Sequence, residues 1–136
     1  MVDDNPGDVR LAQEVLRGGD LARHLEVVED GDAAIAFLRR QAPFETAPRP
    51  DLVLLDLNLP RRSGLEVLRS MKADDTLRPI PVVILSSSAR QRDVAAAYDS
   101  GASCYIVKPR DLAGLEAAYR AIETLWCRVA ALPLPR

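Results

Sequence analysis

The sequence has little of what marks several function classes. No apolar run approaches the roughly 18 residues of a membrane span. No charged-then-apolar segment opens the chain, so no export signal is read there. Charge of one sign is also missing. Lys and Arg number 18 against 20 Asp and Glu, a net charge of −2, without the basic excess of a nucleic-acid-binding surface. Cysteine is scarce: Cys104 and Cys127 lie far apart and match no metal-ligand spacing. They read as two structural thiols of a reduced, cytoplasmic protein. The single histidine, His24, stands alone and takes no role. There is no internal repeat and no low-complexity tract. The 136 residues suffice for one domain with a real core and not for two. One domain over 1–136 is expected, with an extended C-terminal helix and tail from about 111 to 136.

What is present is organised around Asp51 to Gly64, DLVLLDLNLPRRSG. Val53, Leu54 and Leu55 form an unbroken apolar run between Pro50 and Pro60, which suits a strand buried on both faces of a parallel sheet. The run delivers Asp56 to the carboxyl end of that strand. Asn58, Pro60 and Gly64 supply loop chemistry before an amphipathic helix. Sites in open α/β sheets lie at the carboxyl ends of strands, so Asp56 is placed as a nucleophile or a metal ligand.

The rest of the chain alternates strand and helix. Met1 and Val2 are a stub of a first strand, followed by the acidic loop Asp3-Asp4-Asn5-Pro6-Gly7. Val9, Leu11, Ala12, Val15 and Leu16 recur at helical spacing, with Asp8 read as the N-cap and Gly18-Gly19 as the stop. Leu25 to Val28 is a short second strand. Gly31 and Asp32 open a helix, and 41–50 is a loop. A helix over Gly64–Ala73 follows the central strand. Pro81 to Leu85 is another apolar strand, ending at Ser86, Ser87 and Ser88. A helix over Asp93–Ser100 ends at Gly101, read as its C-cap glycine. Cys104 to Val107 is the last strand, and Asp111 caps a helix running to about Ala131. The pattern predicts an α/β fold: a doubly wound parallel sheet with helices on both faces.

Asp3 and Asp4, Asp56, Ser86 and Lys108 each follow a different strand, and in a parallel sheet those ends share one edge. Each pair of carboxylates at ~4 Å costs about 4 kcal/mol at an effective dielectric of about 20. One lysine cannot offset that, whereas a divalent cation can, and hard oxygen ligands suit Mg²⁺. Ser86 and Lys108 then supply a donor and a cation for phosphate oxygens. The cluster reads as a phosphoryl-handling site with Asp56 as acceptor. Each element alone has a plainer reading. Adjacent acids make a solvated loop, a strand-end Asp caps a helix, and Ser86 to Ser88 and Lys108-Pro109 make turns. Their joint occurrence after four strands carries the sharper one.

Asp3-Asp4, Asp56 with Asn58 and Pro60, Gly64, Ser86, Tyr105 and Lys108-Pro109 resemble the receiver domain of two-component response regulators, over essentially the whole chain. The loop Phe44 to Pro50, the string LLDLNLP and the ending around Trp126 and Leu132-Pro133 look like a narrower group. That group is the single-domain regulators paired with cyanobacterial and bacterial phytochrome histidine kinases. The resemblance implies a flavodoxin-like (βα)5 sheet of order 2-1-3-4-5. It implies a signalling phosphoacceptor that assists its own phosphorylation and dephosphorylation. Asp56 would take a phosphoryl group from a phosphohistidine on a sensor histidine kinase, a bacteriophytochrome in the narrower group. Asp4, Asp56 and the main-chain carbonyl of Asn58 would bind Mg²⁺, or another divalent cation such as Mn²⁺ or Ca²⁺, with Asp3 acting through water. Lys108 would contact a phosphoryl oxygen, next to a cis peptide to Pro109. Ser86 would be the switch hydroxyl and Tyr105 the aromatic rotor, while Asn58 and Ser88 would set the rate of hydrolysis. The face of the fourth helix, fifth strand and fifth helix would change, with no DNA-binding output module and no contact with nucleic acid or membrane.

The sequence departs from that pattern at its first strand, which has only Met1 and Val2. A lost central strand leaves backbone groups unpaired at about 1–3 kcal/mol each when buried. The expectation is that the chain begins upstream of Met1 or that another copy donates a strand. In the last helix, Leu115, Ala118, Ile122, Leu125, Val129 and Leu132 repeat at spacings of three and four, widened by Tyr119 and Trp126. This stripe either folds back on the sheet or makes a homodimer through the last helix and tail. Two rival functions differ in class. A haloacid-dehalogenase-type phosphatase needs an acid two residues after the nucleophile, where Asn58 stands. A receiver-like interaction module that is never phosphorylated would not need the site side chains that are present.

Overall fold

The computed structural model describes residues 1–16 and 24–133. The expected helix stop at Gly18-Gly19 and the last residues of the tail lie outside them. The elements run α1 Pro6–Leu16, α2 Gly31–Leu38, β1 Val53–Leu55, α3 Gly64–Ala73, β2 Val82–Ser86, α4 Gln91–Asp99, β3 Cys104–Val107 and α5 Leu112–Ile122, helix and strand alternating from α2 onward. α5 continues into a π-helix, Glu123–Val129. No helix among the described residues is long and apolar enough to cross a membrane.

The three strands pair in parallel in the order β1-β2-β3. Val2 bridges Val28 on one side and Leu55 on the other, both in parallel. The lateral order is therefore Val28, Val2, β1, β2, β3. This is the expected 2-1-3-4-5 arrangement with its first two strands reduced to bridge residues. The stub is paired on both flanks. Val2 N–H donates to Leu54 O at 2.8 Å and Asp56 N–H to Val2 O at 3.0 Å. On the other side Asp3 N–H donates to Val28 O at 3.1 Å and Val28 N–H to Met1 O at 3.0 Å. Ahead of the stub, between 24–28 and 50–54, lies a cavity of about 450 Å³, bordered also by Cys127 and Leu132.

β1 and β2 are buried along their whole length, as unbroken apolar runs require. Their residues alternate between two layers. Val53, Leu55, Val82 and Ile84 pack with Ala34 and Ile35 of α2 and with Val67, Leu68 and Met71 of α3. Leu54, Val83 and Leu85 pack with Ala12 of α1 and with Leu115, Tyr119 and Ile122 of α5. Helices thus cover both faces of the sheet.

Local signals set most helix ends. Asp30, Ser63 and Asp111 cap α2, α3 and α5 through side-chain bonds to Ala33, Glu66 and Gly114 N–H. Gly101 follows the C-cap Ser100 at φ 103°, a left-handed position that glycine takes without strain. α1 corrects the sequence reading. Asn5 is the cap, its Oδ1 accepting Asp8 N–H at 3.1 Å, because Pro6 takes the first helical position, where its missing N–H costs nothing. Asp8 becomes the third helical residue. The apolar stripe of the last helix also changes course. Leu115, Tyr119 and Ile122 are buried and Trp126 packs beside them, while Leu125 and Val129 are 49% and 70% exposed. The π winding turns these last side chains off the line that α-helical spacing predicts.

Candidate functional site

Four chain segments deliver side chains to one edge of the sheet. Val2 leads into Asp3 and Asp4, β1 into Asp56, β2 ends on Ser86, and β3 leads into Lys108. Ser86 and Val107 are paired in register, and Lys108 N–H adds one further rung, to Ser86 O at 2.7 Å.

The carboxylates converge as expected. Oxygens of Asp3, Asp4 and Asp56 all lie within 4.8 Å of one another. Asp3 and Asp56 are buried, whereas Asp4 is exposed. Backbone groups orient the buried pair. Asn5 N–H donates to Asp3 Oδ1 at 2.9 Å and Asn58 N–H to Asp56 Oδ1 at 3.1 Å. Their second oxygens face Lys108, whose Nζ donates to Asp3 Oδ2 at 2.8 Å and Asp56 Oδ2 at 3.2 Å. A third bond runs from Lys108 Nζ to Asp8 Oδ2 at 2.8 Å. Asp8 was not among the residues expected here. The signal for it was Asn5-Pro6, which fixes the cap early and turns Asp8 toward the site.

Burial pushes the Asp56 carboxyl above the ordinary range and Asp3 adds to the push, against the opposing pull of Lys108 and Asn58 N–H. Burial works to lower Lys108, but hydrogen bonds to Asp3 and Asp8 and the charges of Asp56 and Asp3 raise it above its usual value. Lys108 is therefore a firmly held cation among carboxylates that outnumber it. The donor set is all hard oxygen, and Asp4 keeps it open to water. It fits a divalent cation of the Mg²⁺ or Mn²⁺ kind.

The hydroxyl-bearing residues form a connected path. Ser86 is fully buried, and its Oγ accepts Ser88 N–H at 3.3 Å. Ser88 Oγ donates to Asp93 of α4. Tyr105 Oη donates to Ser88 O at 2.7 Å, and Tyr105 N–H donates to Tyr98 Oη at 3.0 Å. The Tyr105 ring is half-buried and packs against the core. Asn58 is exposed and reaches Asp56 through its backbone. Lys108–Pro109 is trans, contrary to expectation, and the cis peptide among the described residues is Ala42–Pro43. Trans is the form X–Pro bonds favour by about 0.5–1 kcal/mol.

Comparison with known proteins follows the same lines. The description "response regulator receiver domain" matches residues 1–120. Response regulator Rcp1 of Synechocystis sp. is 43% identical over 133 residues, which cover 98% of this chain and 90% of that protein. The solved structure of the phosphorylated cyanobacterial phytochrome response regulator RcpA superposes with a TM-score of 0.94 at 44% identity, covering 98% of this chain and 95% of that one. The Mn²⁺-bound form of Rcp1 superposes at 0.91 with 41% identity, covering 98% and 96%.

Proposed function

The chain belongs to the response regulator receiver family, and from that premise we propose that it is a phosphoacceptor whose acceptor is Asp56. The observation that carries this reading is the Lys108 ammonium at 3.2 Å from Asp56 Oδ2, inside a cluster of carboxylates at the strand ends. The donor is a phosphohistidine of a sensor histidine kinase. Kinship with Rcp1 and RcpA supports a phytochrome-linked one.

Asp56 attacks phosphorus through a carboxylate oxygen. A P–O bond forms, the P–N bond breaks, and the imidazole nitrogen leaves with the electron pair and takes its proton from water. Asp3, Asp4 and Asp56, with the Asn58 carbonyl, would hold Mg²⁺. When bound, the ion offsets carboxylate charge and supplies Lewis acidity toward phosphoryl oxygens. Lys108 gives a charge-assisted bond to the incoming group. Ser86 Oγ, buried beside it, supplies a hydroxyl donor that draws its loop inward. Ser88 and Tyr105 lie next on that loop's bonds, so the movement is passed to α4 and β3. Phosphorylation adds roughly −1.5 to −2 charges and three acceptor oxygens, which favours one arrangement of this path over the other. Asn58 and Ser88 flank the acyl phosphate and govern access of water. The phosphatase alternative is not favoured, since Asn58 stands where its general acid is needed.

Self-association through the last helix and tail is the second part of the reading. The exposed Leu125 and Val129 support it.

Incubation with acetyl phosphate and Mg²⁺, followed by intact mass spectrometry, tests the first part. Wild type is expected to gain one phosphoryl group. Asp56→Asn is expected to gain none, as is wild type in chelator. A folded wild type that takes no phosphate would mean a silent interaction module.

A further inference from the structure

We propose that Asp8 is a positioning residue, an anchor that lets Lys108 give up Asp3 and Asp56 to a divalent cation without leaving the site. The inference rests on the phosphoacceptor reading and extends it to a residue outside the expected cluster.

An ammonium has three N–H donors and no acceptor. Lys108 uses all three, on Asp3, Asp8 and Asp56. Two of those carboxylates belong with Asp4 to the set that fits a cation. The cation and the ammonium therefore compete for the same oxygens, and the two positive charges repel. Among the described residues, Asp8 is the one partner of the Lys108 ammonium outside that set. Without it, Lys108 either keeps its hold on Asp3 and Asp56, opposing the cation, or swings into water and away from Asp56. With it, the ammonium retains a charge-assisted bond to a carboxylate that the cation does not need.

Asp8 is built for this. Its place in the first turn of α1 favours a carboxylate, because the helix dipole is positive there. Its N–H is held by Asn5 Oδ1 at 3.1 Å, and its carbonyl accepts Tyr119 Oη at 3.2 Å. Tyr119 is fully buried on α5, so the anchor is fixed from two helices. Its side chain is only 20% exposed, against 8% for Lys108.

The test is isothermal titration of Mg²⁺ into the unphosphorylated chain. Asp8→Asn is expected to weaken binding by about 10- to 100-fold, the range for groups that orient a metal's ligands. Asp8→Glu, which keeps the carboxylate, is expected to recover most of that loss. In a Lys108→Met background the Asp8→Asn effect is expected to fall to about twofold or less, the scatter of uncoupled sites. Equal weakening in both backgrounds would mean simple loss of charge and would overturn the proposal. So would a folded Asp8→Asn that binds Mg²⁺ as tightly as wild type or more tightly. If Asp8→Asn does not fold, Asp8→Ser takes its place in both backgrounds. A wild type that binds no Mg²⁺ at all would overturn the phosphoacceptor reading, and this inference with it.

Discussion

Asp56 is a carboxylate kept where ionisation is costly. Burial raises its pKa in the cation-free protein, and Lys108 does not fully cancel that. Below the ordinary aspartate value of about 3.9 both folded and unfolded chains hold the proton. Between that value and the raised folded one, only the folded chain holds it. Stability therefore falls as pH rises through this window and stays lowered above it. Asp56→Asn keeps the shape and removes the charge. In chelator its melting temperature is expected above wild type at neutral pH, with the gap closing as pH drops below the window. A lower melting temperature for the mutant at neutral pH would show that the Lys108 pair outweighs burial. The convergence of Asp3, Asp4, Asp56 and Lys108 was legible in the sequence because each follows a strand or, for the first two, its stub. Asp8 was not, because closeness to a helix start was taken as capping when Asn5-Pro6 already occupied that place.

At the scale of elements, the joint between β1 and α3 holds Asp56 in place. Gly64, the first residue of α3, lies so close to the strand exit that a Cβ there would stand 2.0 Å from Asp56 O and 2.7 Å from Leu57 Cα. Gly64 N–H also donates to Leu57 O at 2.9 Å. Backbone crowds that Cβ, so no side-chain rotation relieves it. Gly64→Ala is expected to cost about 1–3 kcal/mol in urea unfolding, the range for overpacking, and to slow phosphate uptake by shifting Asp56. A mutant as stable as wild type would mean that the loop yields freely. The elements legible in the sequence are those with unambiguous patterns. β1 and β2 are apolar runs set off by prolines, and α3 has its apolar face. The strand expected at Leu25–Val28 shrinks to the bridge of Val28, because its neighbour in the sheet is a two-residue stub. The π-helix was not legible, since counting threes and fours presumes α-helical winding.

At the scale of the whole molecule, α5 starts at the site edge and runs back along the sheet to the opposite edge. Its π-wound end packs Trp126 in the layer that also holds Leu52 and Ile106, while Leu125 and Val129 face outward. Light scattering is expected to give the mass of two chains for wild type and of one for Leu125→Glu with Val129→Glu. A single-chain mass for concentrated wild type would contradict self-association through this helix. Trp126 is also the only tryptophan in the sequence. The protein therefore carries one built-in optical reporter, placed at the edge of the sheet away from the carboxylates. Packed on the chain's own core and not with the exposed Leu125 and Val129, its emission should move to the red as urea opens that layer and stay flat as Mg²⁺ is added. Ordinary emission spectra are expected to report on the integrity of this layer and to be blind to a cation at the carboxylate edge.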